Sequence, residues 1–165
     1  MSREVRMVPK DWQHPKKDNG NYQPMFDRDY KIEFNEWLKE KEQWEKGLMK
    51  DWLKGGYIPK EEKYKDMPFE EWYGSAPDSR YYMPQWPDSE RTHYMMYETT
   101  SEGTPKSPAF ETPEQLAHYL ADNKVSTFAD MTTTYEKWLK MIQGSGYACS
   151  AVMTNGEIKS GVEGE

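Results

Sequence analysis

The sequence predicts an α+β fold: a small antiparallel sheet, two or three packed helices and a Pro-rich N-terminal arm. Three observations carry this expectation. Residues 92–99 alternate in side-chain character at the two-residue period of a strand. Residues 112–121 and 133–142 each begin with helix-start chemistry and continue with apolar residues at helical spacing. The chain is only 35% hydrophobic, but 15% of it is aromatic. Each buried ring removes ~150–250 Å² from water, so few residues suffice for a core.

Residues 1–28 read as the arm. Pro9, Pro15 and Pro24 fix φ and remove donors, and Asn19-Gly20 signals a turn. One brief strand over Val5, Met7 and Val8 is expected, with Trp12, Tyr22 and Phe26 pinning the arm down. Residues 29–54 read as the longest helix. Phe34, Trp37, Leu38, Trp44, Leu48, Met49 and Trp52 form one stripe on a 3.6-residue period. Asp27 or Asp29 would cap its start, Gly55-Gly56 would stop it, and pairs such as Glu42–Lys46 would cover the outer face, with Glu36 and Glu40 beside Lys41. Residues 55–90 are punctuated by five prolines, with one helical turn expected at 68–73. Their aromatics Trp72, Tyr73, Tyr81, Tyr82 and Trp86 are expected to close over the core.

Residues 91–110 predict two strands joined by a polar loop, with Ser107-Pro108-Ala109-Phe110 as the return strand. Pro108 limits that strand to an edge or a bulge. Thr112 caps the next helix, Pro113 takes its first position, and Gln115 completes a capping box. A second capping box is expected from Thr133 to Glu136. Tyr135, Trp138, Leu139 and Ile142 form that helix's stripe, and Gly144 ends it. Residues 147–162 read as a hairpin turning at Asn155-Gly156. The organisation is thus an arm (1–28), a helix with an aromatic, Pro-rich connection (29–90) and a strand–helix–helix–hairpin module (91–165), together one compact domain.

Net charge is -7 and unevenly placed. Residues 1–66 carry 15 Lys+Arg against 14 Asp+Glu, whereas residues 67–165 carry 7 against 15. An acidic second half argues against gripping a phosphate backbone and suits a basic partner. The one cysteine, Cys149, is expected to be a small buried hydrophobe in a strand. No apolar run approaches membrane-spanning length and the N-terminus lacks an apolar signal region, so a cytoplasmic protein is expected. His14, His93 and His118 have no metal-ligand spacing, and no nucleophile elbow or phosphate-binding Gly loop is present. No cofactor, metal or catalytic residue is expected.

Several segments together carry a family resemblance. They are R-E-V-R-M-V-P-K-D-W-Q-H-P near the start, Y-E-T-T-S-E-G-T-P-K-S-P-A-F, T-P-E-Q-L-A-H-Y-L-A-D-N, F-A-D-M-T-T-T-Y-E-K-W-L and the closing N-G-E-I-K-S-G-V-E. The region from Trp72-Tyr73 to Pro87 belongs with them. This pattern resembles a family of small phage and prophage proteins of unknown activity. Some proteins sharing the N-terminal motif carry C-x-x-C zinc-ribbon inserts. This chain lacks those cysteines, so no zinc follows. The resemblance implies a phage origin and a host-cell cytoplasmic setting.

The expected function is that of a non-enzymatic, phage-encoded interaction protein docking on a host or phage protein complex. One version is an inhibitor of a host defence complex, in the manner of an anti-CRISPR protein, whose acidic surface occupies a basic channel. The candidate interaction surface is Glu98, Ser101, Glu102, Thr104, Glu111 and Glu114, with Trp72 and Trp86. Direct nucleic-acid binding and membrane binding are not expected. An alternative is a ligand binder or small enzyme using the 99–107 loop with His93, Tyr94 and Tyr97. Another is a structural or assembly factor that self-associates through Trp-rich surface.

Overall fold

The computed structural model describes residues 1–100, 102–154 and 156–164. It is α+β, as expected, and the chain divides into two compact units: Met1–Asp27 with Pro84–Glu165, and Arg28–Met83.

The first unit is built on strand β1 (Ser2–Val8). The expected arm is therefore an arm only in part. Residues 9–27 stay irregular, but β1 is an inner strand of a four-stranded sheet of order β5-β4-β1-β6. It lies between β4 (His93–Thr99) and β6 (Tyr147–Ala148), and β5 (Gly103–Pro105) pairs with the far side of β4. The β1–β4 register runs antiparallel from Ser2 opposite Thr99 to Val8 opposite His93. Opposed residues share a face, so Arg3, Val5, Met96 and Ala148 point one way and Arg6, Val8, Met95 and Tyr97 the other.

Helices α3 (Pro113–Asp122) and α4 (Tyr135–Gln143) cover the first face. Leu116, Ala117, Leu120, Trp138, Met141 and Ile142 meet Met96 and Ala148 there, and Val162 joins them. The α3 start is as read: Thr112 accepts from Gln115 N–H, and the Gln115 side chain accepts from Thr112 N–H. The α4 start shifts by one residue. Thr134, not Thr133, caps it by accepting from Lys137 N–H, and lysine at the third position offers no acceptor to complete a box. The C-terminal hairpin pairs β7 (Ala151–Thr154) with β8 (Glu157–Ser160). Of the expected Asn155-Gly156 turn, Asn155 lies outside the described residues, and Gly156 has the positive φ of 83° that such a turn requires. Cys149 lies between β6 and β7 and is exposed, not buried as expected. It follows the two-residue β6, and its thiol donates to Ala151 O at 3.7 Å. Gly161 follows β8, and a Cβ there would stand 2.8 Å from the Cys149 backbone N and C.

The expected return strand at Ser107–Phe110 is replaced by β5, four residues earlier. Pro108 has no N–H for the ladder. Lys106 N–H still donates to Met96 O at 2.7 Å, the Ser107 hydroxyl accepts from Met96 N–H, and pairing resumes only at Phe110 opposite Tyr94.

The second unit begins with α1 (Tyr30–Glu45), capped by Asp29 through Lys31 N–H. It ends nine residues before the predicted stop. Gly47 takes φ 82° and turns the chain into a hairpin of β2 (Leu48–Lys50) and β3 (Tyr57–Pro59). Met49 therefore reaches the core from a strand. Its neighbours are Trp37, Trp44 and Phe69, the last from the short helix α2 (Phe69–Tyr73). Both buried indoles are satisfied: Trp37 donates to Gly74 O and Trp44 to Met67 O, each at 3.0 Å. Of the other expected core aromatics here, Tyr82 is buried, Trp72 and Tyr73 are half-buried, and Tyr81 is exposed. Glu42 pairs with Lys46 on the outer face as expected. Glu40 instead is buried, accepting from Lys50 Nζ and Tyr57 Oη at 3.0 Å each, which ties the hairpin to α1.

Candidate functional site

The second face of the first unit's sheet is closed by residues 9–27. Arg6 lays its guanidinium 4.5 Å from the Tyr97 ring centroid and donates to Met25 O at 2.9 Å. Met25 and Gly103 exchange both backbone hydrogen bonds at the β5 edge. A Cβ on Gly103 would lie 2.7 Å from Arg6 Cζ, so only glycine leaves room for the guanidinium.

Tyr97 Oη is the centre of a buried polar group. Trp12 Nε1–H donates to it at 3.2 Å, and His14 Nδ1 lies 3.1 Å away. His14 Nε2 stands 2.6 Å from Gln23 O, a carbonyl that can only accept. The imidazole therefore carries its proton on Nε2, and neutral Nδ1 accepts from the Tyr97 hydroxyl. Burial lowers the His14 pKa against the opposing pull of the Gln23 carbonyl, and the Arg6 charge lowers it further. Burial pushes the Tyr97 phenol up to about 12, although the Trp12 hydrogen bond and Arg6 act the other way.

A histidine whose folded pKa lies below its ordinary value of about 6.5 binds protons more readily when unfolded. His14 therefore supports the fold fully above that value, and the support is lost as pH falls through it toward the folded pKa. Thermal melts at pH 7.5 and 5.5 are expected to show a drop that is smaller in His14→Gln. Parallel pH profiles in the two proteins would rule His14 out.

Above this group opens a cleft of about 610 Å³. Met95, Pro105 and Ser107 line it together with Trp12, His14, Tyr22 and Tyr119. Lys10, Lys16 and Lys106 line it as well. No Asp or Glu does so among the described residues, although the unit carries 11 Lys+Arg against 16 Asp+Glu. Lys106 is held 3.3 Å from Glu98, and Lys16 lies 5.1 Å from the Tyr22 ring centroid. The Ser107 hydroxyl accepts from Met96 N–H at 2.9 Å and donates to Pro108 O at 2.8 Å, so it is committed to the backbone.

The predicted surface is dispersed by the fold. Glu98 is only 15% exposed and forms an ion pair with the buried Arg3 at 2.9 Å, which removes it from the acidic surface. Thr104 stands opposite Glu98 on β5 and is half-buried, as is Glu102. Ser101 lies outside the described residues. Glu111 and Glu114 are exposed at the start of α3, where Glu114 accepts from Gln143 Nε2. Trp86 packs edge-on against Trp12 at 4.8 Å, whereas Trp72 stacks on Trp44 at 5.2 Å in the other unit. His93 and Tyr97 point to one face of β4 and Tyr94 to the other, so these three do not line one pocket.

Sequence reasoning missed Lys10, His14 and Lys16. Their signal was the K-D-W-Q-H-P motif, which the fold brings against K-S-P-A at residues 106–109. Among the described residues no group of three or more His, Cys, Asp or Glu side chains is placed to hold a metal, and no helix is long and apolar enough to cross a membrane. Comparison with protein-family models, curated proteins and solved structures finds no match for this chain.

Proposed function

We propose that this protein is a non-enzymatic interaction protein that receives an anionic group of its partner in the Lys10–Lys106 cleft. The observation that carries this reading is the local inversion of charge: three lysines and, among the described residues, no carboxylate line a cleft in a unit of net charge -5. Clefts lined by one sign of charge focus the field and concentrate ligands of the other sign. Both ring nitrogens of His14 and both sides of the Ser107 hydroxyl are engaged structurally, which favours binding over catalysis. From the phage-like motifs we place the partner in a host or phage protein complex, with inhibition of a host defence complex as the version to test first.

The acidic-surface version now rests on Glu102, Glu111 and Glu114. A comparison of two exposed charge reversals separates the readings. Tagged Lys10→Glu/Lys16→Glu is expected to recover the partner complex from phage-host extract about tenfold less well, or ~1.4 kcal/mol. Glu111→Lys/Glu114→Lys should recover it at the wild-type level. The opposite pattern would return the contact to the acidic face.

One observation favours a second reading, self-association. Asp51 Oδ1 accepts from the N–H groups of Leu53 and Lys54, and Gly55 and Gly56 both take positive φ. This stiff turn holds Trp52 64% and Leu53 97% exposed. Fully burying such side chains stabilises by ~1.5–3 kcal/mol each. Sedimentation velocity up to ~100 µM, a range set by weak dimer affinities, is expected to show a mass increase that Trp52→Ser/Leu53→Ser removes. A wild-type mass that stays monomeric across the range eliminates this reading.

A further inference from the structure

Resting on the cleft reading above, we infer that the anionic group is a nucleotide phosphate, with the attached base seated among the cleft's aromatic rings. The cleft offers two chemistries together. Lys10 and Lys16 are exposed cations that, among the described residues, meet no carboxylate. Such ammonium groups make charge-assisted hydrogen bonds to phosphate oxygens. The lining supplies planar rings, of which Tyr22 is 42% exposed; Lys16 Nζ lies 5.1 Å and the His14 ring 5.7 Å from its centroid, and a base would stack on the part of the ring that these leave open. Base stacking on aromatic side chains beside backbone-binding cations is the shared physics of single-strand and nucleotide recognition. Gln13 also lines the cleft, is exposed and forms no side-chain hydrogen bond among the described residues, so its amide can both donate to and accept from a base edge.

The size agrees. About 610 Å³ lies within the ~300–1,000 Å³ of small-molecule sites. An acidic peptide would use the lysines but would leave the rings and the free amide without a matched plane. The acidic composition of residues 67–165 does not oppose this, because Lys10, Gln13 and Lys16 come from the other part of the chain.

The same chemistry is offered by a free nucleotide and by an unpaired nucleotide of a strand. Calorimetric titration of the full chain with AMP, adenosine, ribose 5-phosphate and an adenine octanucleotide tells them apart. AMP or the octanucleotide is expected to bind saturably, with adenosine and ribose 5-phosphate each at least about tenfold weaker. An octanucleotide tighter than AMP assigns a strand; equal affinity assigns the free nucleotide. Lys10→Glu/Lys16→Glu, at exposed positions and with an unchanged near-UV spectrum as the folding control, should abolish binding. Absence of saturable binding by AMP and the octanucleotide up to ~1 mM, or binding indifferent to the lysine variant, overturns the inference. So does ribose 5-phosphate binding as well as AMP, since the base then contributes nothing. Loss of the partner complex in the lysine variant alongside nucleotide failure would sink the nucleotide alone and leave the cleft reading standing.

Discussion

Alanine in place of Trp138 is expected to cost about 3–5 kcal/mol, a large part of the ~5–15 kcal/mol that holds a domain folded. Trp138 is 0% exposed and is the largest fully buried side chain of the first unit. It projects from α4 into the cluster of Met96, Leu116, Leu120 and Met141, so its removal leaves a cavity walled by two helices and the sheet. Its indole N–H finds no hydrogen-bond partner among the described residues. An unsatisfied buried donor costs ~1–3 kcal/mol. Trp138→Phe deletes that donor along with part of the ring, so the two effects oppose each other. The phenylalanine variant is therefore expected to lose far less stability than the alanine variant. Urea unfolding of the three proteins measures both numbers. Losses as large in Trp138→Phe as in Trp138→Ala would overturn this account, because the phenyl ring refills most of the cavity.

That core was legible in part. The α3 capping box, the alternation of β4 and the apolar residues of α4 are local signals, and each lies where the residues implied. What escaped was non-local. The stripe from Phe34 to Trp52 keeps helical spacing across Gly47, but the positive φ there diverts Leu48 and Met49 into a hairpin. Met49 still reaches the core, so spacing alone does not distinguish the two routes. The length of β1 was hidden by Arg3 and Arg6, one on each face. Buried arginines erase the apolar alternation that marks a strand; the carboxylate that pairs with Arg3 lies nearly a hundred residues away, whereas Arg6 meets Glu4 beside it on the strand at 3.0 Å and donates to Met25 O, 19 residues away. The cleft was hidden in the same way. Its lysines sit at positions 10, 16 and 106 and its rings at 12, 14, 22 and 119, with no shared local pattern.

The Arg3–Glu98 pair carries the second large effect, and it decides how the acidic-surface idea is tested. Arg3 is 1% exposed. Its guanidinium meets Glu98 at 2.9 Å, and it also donates to Ser126 O at 2.8 Å and to Ser126 Oγ at 3.1 Å, tying β1 to the α3–α4 connection. Burial lowers the Arg3 pKa while Glu98 raises it, so the carboxylate is what keeps the cation affordable there. Breaking one side of a buried pair strands the other charge, at about 3–5 kcal/mol. Glu98→Lys is worse in kind, because it sets a third cation beside Arg3 and Lys106. It is expected to unfold the first unit rather than to reveal a binding role. Arg3→Met/Glu98→Met should lose less than the sum of its single changes, because neither charge is then left alone. Additive losses in urea unfolding would show that the two side chains act independently. If the pair is coupled as the geometry requires, a loss of partner binding in any Glu98 charge reversal reports the fold, and only Glu102, Glu111 and Glu114 can test an acidic contact.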